Sequence, residues 1–235
     1  MLLPKAPLHL SLGRSICLLP ALVSMVLLVA CAAQTPSPKP IRQCDPAADE
    51  AVAQGDWELA RKTHERLLAS EPGNCLALYH LGYIWGQLGN RASEIHFYEA
   101  AITCGYTDDD RLYFNLGMAY ADQGDTERAV KALNRATQLD PDNPDNFFGL
   151  GVTNQLAGRE AEAEAALLAT LRLDSTHTEA RLSLIRLYLN QSRWEHARRQ
   201  LRQIKVGDPG YEAARELWQT LESREAEEYK GRNPH

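Results

Sequence analysis

The sequence predicts an all-α fold, a solenoid of about five helix-turn-helix repeats. Glycines recur at spacings of 34, 35 and 34 residues, and a serine takes the same place one period later: Gly55, Gly89, Gly124, Gly158 and Ser192. Each period contains two amphipathic stretches of about a dozen residues, the pattern of two short helices joined at the glycine. One helix pair cannot bury its apolar face alone, whereas stacked pairs share a continuous core.

Other positions repeat in register with these turns. They are a leucine-glycine pair before the turn, an aromatic residue three positions after the pair, a small residue five positions after the turn, and a proline that closes the unit. Examples are Leu81-Gly82, Leu116-Gly117 and Leu150-Gly151; Trp85, Tyr120 and Tyr188; Ala60, Ala129, Ala163 and Ala197; and Pro72, Pro141 and Pro209.

This pattern resembles the tetratricopeptide repeat over about residues 41–211. The resemblance implies a TPR α-solenoid spanning 42–211. The five units are expected at 41–74, 75–109, 110–143, 144–177 and 178–211.

Three units depart from the pattern, among them the fourth, which has Ser175 in place of the closing proline. The first unit lacks the leucine-glycine pair, and its first helix is expected to begin at Asp45-Pro46, a capping residue followed by proline at the first helical position. The second unit carries Glu94 where a small residue is expected. A large polar side chain at a helix crossing predicts that this helix pair is splayed apart.

One more amphipathic helix is expected after the last repeat. Residues 212–230 place Ala214, Leu217, Trp218 and Leu221 on one side. A solenoid needs such a helix to cover its last apolar face. Residues 231–235 are expected to be a disordered tail.

The first 41 residues predict a membrane-anchored lipoprotein. Residues 1–30 contain a weakly basic start and an apolar run, typical of a signal peptide. The run ends in Leu28-Val29-Ala30-Cys31, which resembles the lipobox of bacterial lipoproteins and implies cleavage before Cys31 and lipidation of its thiol. Residues 31–41 are proline-rich and indicate a flexible linker. The alternatives are an uncleaved signal anchor and plain secretion. Ala32, rather than Asp, follows the cysteine, and the resemblance to enterobacterial lipoproteins then implies the periplasmic face of the outer membrane.

No catalytic, cofactor or metal site is expected. Gly117 and Gly124 lie in a helical pattern, so they indicate packing and a helix end, and no GK[ST] or GxGxxG arrangement is present. The seven histidines show no HExxH spacing, and no CxxC exists. His64 is interpreted as a packing residue of the second helix.

Three cysteines, Cys44, Cys75 and Cys104, remain in what would be an oxidising compartment. A helix pair brings the start of a unit near its end, which allows a Cys75–Cys104 bond. A Cys44–Cys75 bond across neighbouring first helices is the alternative, and three free thiols or an intermolecular bond are further ones.

The net charge of −6 and the lack of a basic cluster argue against nucleic-acid binding.

In the tetratricopeptide family the first helix of each unit lines a concave groove, which implies an aromatic and apolar surface with Asp45 and Asp49 at one end. Chaperone-binding members of the family hold a carboxylate terminus with a clamp of lysine, asparagine and arginine side chains. The lysines of that clamp are missing here, so a ligand of this kind is not expected. The expected partner-binding residues are Tyr79, His80, Tyr83, Arg111, Phe114, Asn115, Met118, Phe148, Val152, Leu182 and Arg186. Core packing, or cover by the N-terminal linker, is the alternative role of these side chains.

These features predict a non-enzymatic scaffold that binds a peptide or helix of an envelope protein. The architecture is similar to that of small lipoproteins of pilus and secretin assembly, an analogy of fold rather than of site. The alternatives are an adaptor that recruits cell-wall enzymes, a small-molecule or enzymatic role, and self-association into a homo-oligomer.

Overall fold

Eleven α-helices follow one another along the part of the chain that the structure, a computed structural model, describes, residues 45–232. No strand occurs in that range, which confirms the predicted all-α solenoid. The helices are α1 Pro46–Gln54, α2 Trp57–Ser70, α3 Cys75–Gln87, α4 Arg91–Cys104, α5 Asp110–Asp122, α6 Thr126–Leu139, α7 Pro144–Leu156, α8 Glu160–Leu173, α9 Thr178–Asn190, α10 Trp194–Leu201 and α11 Tyr211–Arg232.

The helices pack in the order of the chain. Each helix contacts the next, and α3, α5, α7 and α9 also contact one another in sequence, so that the first helices of successive units form one layer. The second helices of the units, α2, α4, α6, α8 and α10, lie behind that layer. This arrangement gives the chain a face lined by first helices and an opposite face lined by second helices.

Short polar side chains begin most of these helices. The carboxylate of Asp45 accepts a hydrogen bond from the backbone N–H of Ala47, and Pro46 occupies the first turn, which confirms the predicted start of α1. Asp or Asn caps α2 to α7 in the same way, and His177 Nδ1 accepts from Ala180 N at the start of α9. Each cap satisfies a backbone donor that the helix leaves unpaired.

The periodic glycines end the first helices in a left-handed conformation. Gly55, Gly89, Gly124 and Gly158 have φ values between 70° and 80°. In the fifth unit Ser192 takes this place with φ 56°, the one non-glycine residue of positive φ in residues 45–232. A side chain in this region costs about 1–2 kcal/mol relative to the right-handed conformation.

The Ser192→Gly variant is therefore expected to raise the free energy of unfolding by about 1 kcal/mol, because glycine removes the steric cost of the turn. Urea denaturation followed by circular dichroism measures the change. Ser175→Gly, a serine-to-glycine change at an exposed position that has no positive φ, is the matched control and should not stabilise. An unchanged or lower stability for Ser192→Gly would contradict the explanation.

The second unit is closely packed, so the predicted splaying of this helix pair is wrong. Glu94 is buried, and its carboxylate fills the space left by Gly86: a Cβ at position 86 would lie 2.7 Å from Glu94 Oε1. Arg91 pairs with the same carboxylate. Burial raises the pKa of Glu94, although the hydrogen bond from Arg91 opposes this effect.

The last helix covers the end of the solenoid. α11 buries Ala214 and Leu221 in the core formed with α9 and α10, and Leu217 and Trp218 pack at its edge, as expected. The helix runs from residue 211 to 232, so the disordered tail predicted to begin at 231 is wrong for residues 231 and 232, where the helical turn simply continues.

Among residues 45–232, no helix combines the length and apolar character needed to cross a bilayer. The predicted signal peptide (1–30), the lipidation site Cys31, the linker (31–41), Cys44 and residues 233–235 lie outside the described residues.

Candidate functional site: a pocket on the face of the first helices

A pocket of about 690 Å³ opens on the face formed by α1, α3, α5 and α7. It brings together six of the eleven predicted partner-binding residues: Tyr79, His80, Tyr83, Arg111, Phe114 and Asn115. Its other lining residues are Asp49, Val52, Ala53, Leu76, Tyr106, Asn143, Asp145 and Asn146. The pocket is therefore half aromatic and apolar and half polar, rather than a uniform apolar surface.

The remaining predicted residues lie outside this pocket. Met118 and Phe148 are half-buried, the first in a small apolar cluster with Leu133 and Leu150 and the second with its ring 4.7 Å from that of His177. Of the other three predicted residues, Val152 is half-buried, Leu182 is buried in the core, and Arg186 is exposed. The expected long exposed stripe is thus interrupted, because the fifth unit turns its leucine inward.

Stacked aromatic rings form one wall of the pocket. Tyr79 is buried, and its ring lies parallel to that of Tyr106 at a centroid distance of 5.3 Å. Burial raises the pKa of Tyr79 to about 12, so its hydroxyl remains a hydrogen-bond donor near neutral pH. Tyr83 is the exposed aromatic residue of the wall, and it meets Trp57 edge to face at 6.0 Å. Its exposed part is available to a ligand.

Arg111 supplies the positive charge of the pocket rim. Its guanidinium lies 3.0 Å from Asp109 Oδ2, and most of its side chain is exposed. The Tyr106 hydroxyl donates to the same carboxylate at 2.7 Å. Burial would raise the pKa of Asp109, but the hydrogen bonds from Arg111 and Tyr106 outweigh it and lower the pKa. The charge is therefore fixed in position while its outer face stays accessible.

An amide network holds the other side of the pocket. The side-chain amides of Asn143 and Asn146 both donate to Asp110 Oδ2, at 3.0 and 2.9 Å. Asn146 is fully buried, so these bonds satisfy a polar group that would otherwise be costly. They tie the start of α7 to the start of α5 and fix the width of the pocket.

Two histidines meet at the end of the pocket nearest α1. His64, on α2, is fully buried as the packing interpretation predicted, and its ring centroid lies 5.0 Å from that of His80. Within residues 45–232 neither ring nitrogen of His64 has a hydrogen-bond partner. Burial, together with repulsion from His80, lowers the pKa of His64 to about 4, so its ring is neutral near pH 7. Burial also lowers the pKa of His80.

These histidines form a group that the sequence did not predict. One donor atom each from Asp49, His64 and His80 lies within 4.8 Å of the other two. The expectation of no metal site rested on the absence of short ligand motifs, and these three residues come from α1, α2 and α3. The sequence contained one indication of this group, the register of the repeats, which places the consecutive helices that carry the three residues side by side.

A disulfide joins Cys75 at the start of α3 to Cys104 at the end of α4, with a Cα–Cα distance of 5.4 Å. This is one of the two intramolecular pairings that the sequence left open. The alternative partner of Cys75, Cys44, is outside the described residues, and Cys75 is already bonded. The bridge closes the unit that carries Tyr79, His80 and Tyr83.

A larger cleft, of about 1030 Å³, lies between α4, α5 and α6. Tyr113, Tyr120, Arg128 and Arg135 line it, and the Arg128 guanidinium lies 4.4 Å from the Tyr120 ring centre. Because α4 and α6 are second helices, this cleft faces away from the pocket of the first helices. It is a second surface on which a protein could bind.

Family models match two parts of the chain. A model described as a tetratricopeptide repeat matches residues 46–110, and one described as a TPR repeat matches residues 117–158. A curated relative, the TPR repeat-containing protein PA0015 of Pseudomonas aeruginosa, is 39% identical over 70 residues, which are 30% of this chain and 67% of that protein. The general transcriptional corepressor ssn6 of Schizosaccharomyces pombe is 26% identical over 121 residues, 51% of this chain, and the chain spans only 11% of its length.

Solved structures share the fold. YrrB, described as a TPR protein with an unusual peptide-binding site, is 18% identical with a TM-score of 0.62, covering 76% of this chain and 88% of its own. PilF of Pseudomonas aeruginosa is 20% identical with a TM-score of 0.62, covering 80% of this chain and 89% of its own. At these identities the likeness shows the fold alone.

Proposed function

This chain belongs to the tetratricopeptide repeat proteins, and from that premise we propose that it holds an extended or helical segment of a partner protein in the pocket of its first helices. Tetratricopeptide repeats are protein-interaction scaffolds, so the question is which surface binds. The observation that carries the proposal is the exposed ring of Tyr83 beside the fixed charge of Arg111 in a pocket lined by four first helices.

The pocket favours a segment with an apolar or aromatic side chain next to a hydrogen-bonding group. Tyr83 and Phe114 offer apolar contact, while Arg111 and Asn115 offer polar contact. Tyrosine and arginine are enriched among the residues that dominate binding energy at protein interfaces. The description of YrrB as a peptide-binding protein of this fold supports this mode of binding.

We place the protein, as part of the proposal, in a bacterial envelope, anchored by lipid on Cys31 to the periplasmic face of the outer membrane. The apolar run that ends in Leu28-Val29-Ala30-Cys31 supports this location. The combination of this lipoprotein pattern with the repeats is similar in architecture to the small lipoproteins of pilus and secretin assembly, which supports a role in assembling a pilus, a secretin or a comparable envelope complex.

An adaptor for cell-wall enzymes is the second candidate. It would use the cleft between α4, α5 and α6, whose exposed arginines and aromatic rings suit a folded partner. The two candidates therefore predict binding on opposite faces of the same repeats.

The Tyr83→Ala variant is expected to weaken partner binding about tenfold, since loss of an aromatic anchor at an interface costs more than about 1 kcal/mol. Binding is measured by retention of envelope proteins from detergent extracts on the immobilised full-length chain, followed by titration of the retained partner. Tyr113→Ala is the matched control, the same substitution in the cleft of the opposite face. Circular dichroism verifies that both variants fold.

The opposite result would assign the binding site to the other face of the repeats. If Tyr113→Ala loses the partner and Tyr83→Ala keeps it, the pocket proposal is wrong and the adaptor is favoured. If both variants retain the partner with wild-type affinity, neither face is the binding surface.

The lipid anchor has its own test. The Cys31→Ser variant is expected to lose the mass of the acyl chains, because the thiol is the proposed point of attachment. Cys44→Ser is the matched control and should remain lipidated and membrane-bound. A wild-type chain that keeps residues 1–30 and carries no acyl mass would favour the uncleaved signal anchor instead.

A further inference from the structure

We propose that the end of the pocket nearest α1 is a zinc-binding site formed by Asp49, His64 and His80. Their donor atoms, one from each side chain, lie within 4.8 Å of one another. The three residues come from α1, α2 and α3, so the site spans the first unit and the start of the second.

The strongest observation is the state of His64. Its side chain is completely buried, yet neither ring nitrogen has a hydrogen-bond partner in residues 45–232. A buried polar group without a partner costs about 1–3 kcal/mol. Coordination of a metal by one ring nitrogen gives that nitrogen a partner, which pure core packing does not.

The geometry is close to that of a zinc site. His80 Nδ1 lies 3.9 Å from Asp49 Oδ1. Zinc bonds of about 2.0–2.2 Å put two ligands of a tetrahedral site about 3.3 Å apart, so the three donors must move together by less than about 1.5 Å. Asp49 is half exposed and can rotate, whereas His64 is fixed by burial.

The surroundings supply charge and access. Asp45 lies near His64 and adds a second negative charge, while Arg111, whose positive charge acts on His80, is paired with Asp109. Exposure increases from His64 through His80 to Asp49, which gives an ion a route from the pocket. A tetrahedral ion held by these three ligands has a fourth position for water or for a carboxylate or imidazole of a partner.

The donor set selects the metal class. Two imidazoles and one carboxylate suit zinc and its first-row neighbours, whereas calcium and magnesium take oxygen ligands. Three protein ligands with an open fourth position are the arrangement of accessible zinc sites rather than of closed structural ones.

The test is Zn²⁺ binding by the untagged full-length chain in a nonionic detergent after removal of metal with a chelator. Isothermal titration calorimetry is expected to show one Zn²⁺ at this site per chain. His80→Gln and Asp49→Asn should each weaken that binding by at least about 100-fold, because loss of a supporting residue alone costs 10–100-fold. His96→Gln, the same substitution on the exposed surface of α4, is the matched control and should bind as wild type does.

Co²⁺ provides an independent reading. Bound in place of Zn²⁺, it should give visible absorption bands of a four-coordinate site in the wild type and in His96→Gln, and not in His80→Gln. Wild-type chain that binds no Zn²⁺, or His80→Gln and Asp49→Asn chains that bind it with wild-type affinity, would overturn the proposal. Because no partner protein is present, either result leaves the proposed peptide binding to its own test.

Discussion

Reduction of the Cys75–Cys104 disulfide is expected to lower the free energy of unfolding by about 3.5 kcal/mol, the largest effect of any single change considered for this chain. The bond joins residues separated by 29 positions. A cross-link that closes a loop of about 30 residues restricts the unfolded chain and stabilises the folded one by roughly this amount in the chain-entropy description. Cys75 begins and Cys104 ends the helix pair that carries the pocket wall, so α3 and α4 should be the first helices to unfold locally.

Urea denaturation with and without a reductant measures the change, and hydrogen exchange locates it. The amides of α3 and α4 should lose the most protection, because a repeat contacts only its neighbours. The double variant Cys75→Ala/Cys104→Ala is the control, and its stability should not respond to reductant. Peptide mapping under non-reducing conditions should recover Cys75 linked to Cys104. A peptide linking Cys75 to Cys44, or a wild type that reductant leaves unchanged, would contradict the assigned pairing.

The fold could be predicted because the residues that determine it recur at regular intervals along the chain. A helix end that requires positive φ leaves glycine at the same place in four units, and the fifth unit keeps the same turn with Ser192. The error lay in the second unit, where Glu94 was expected to push two helices apart. The sequence contained the compensation, since Gly86 lies one helical turn beyond the expected crossing at Gly82, but only the paired helices show that the two positions meet.

The site was predictable to a smaller extent. The repeat register identified the first helices as the lining of one face, and six of the named side chains do line one pocket. The repeat register does not determine how deeply each side chain is buried, however, and Tyr79 and Leu182 are buried where exposed side chains were expected. The group of Asp49, His64 and His80 escaped sequence reasoning because its members are 15 and 16 positions apart, a spacing set by the turn lengths of this chain and by no ligand motif.

The Gly82→Ala variant tests whether glycine in the leucine-glycine pairs serves close packing. A Cβ at position 82 would lie 2.5 Å from Tyr98 Cδ1 and 2.6 Å from Cε1. Tyr98 is completely buried, so its ring has no open space into which it can move. Overpacking of a core costs about 1–3 kcal/mol, and a clash with a rigid ring belongs at the upper end. Alanine regains about 1 kcal/mol of helix propensity, which leaves an expected net loss of about 2 kcal/mol.

Urea denaturation of Gly82→Ala against the wild type measures this loss. Gly73→Ala is the matched control, because a Cβ at position 73 has no atom within 4 Å and the residue lies in the turn before α3. Its stability should stay within about 0.5 kcal/mol of the wild type. If Gly82→Ala were as stable as Gly73→Ala, helix propensity rather than close approach would decide the residue at this position. The crossing of α3 and α4 would then tolerate a wider separation, and the shape of the pocket wall would depend less on this glycine than on the Cys75–Cys104 disulfide.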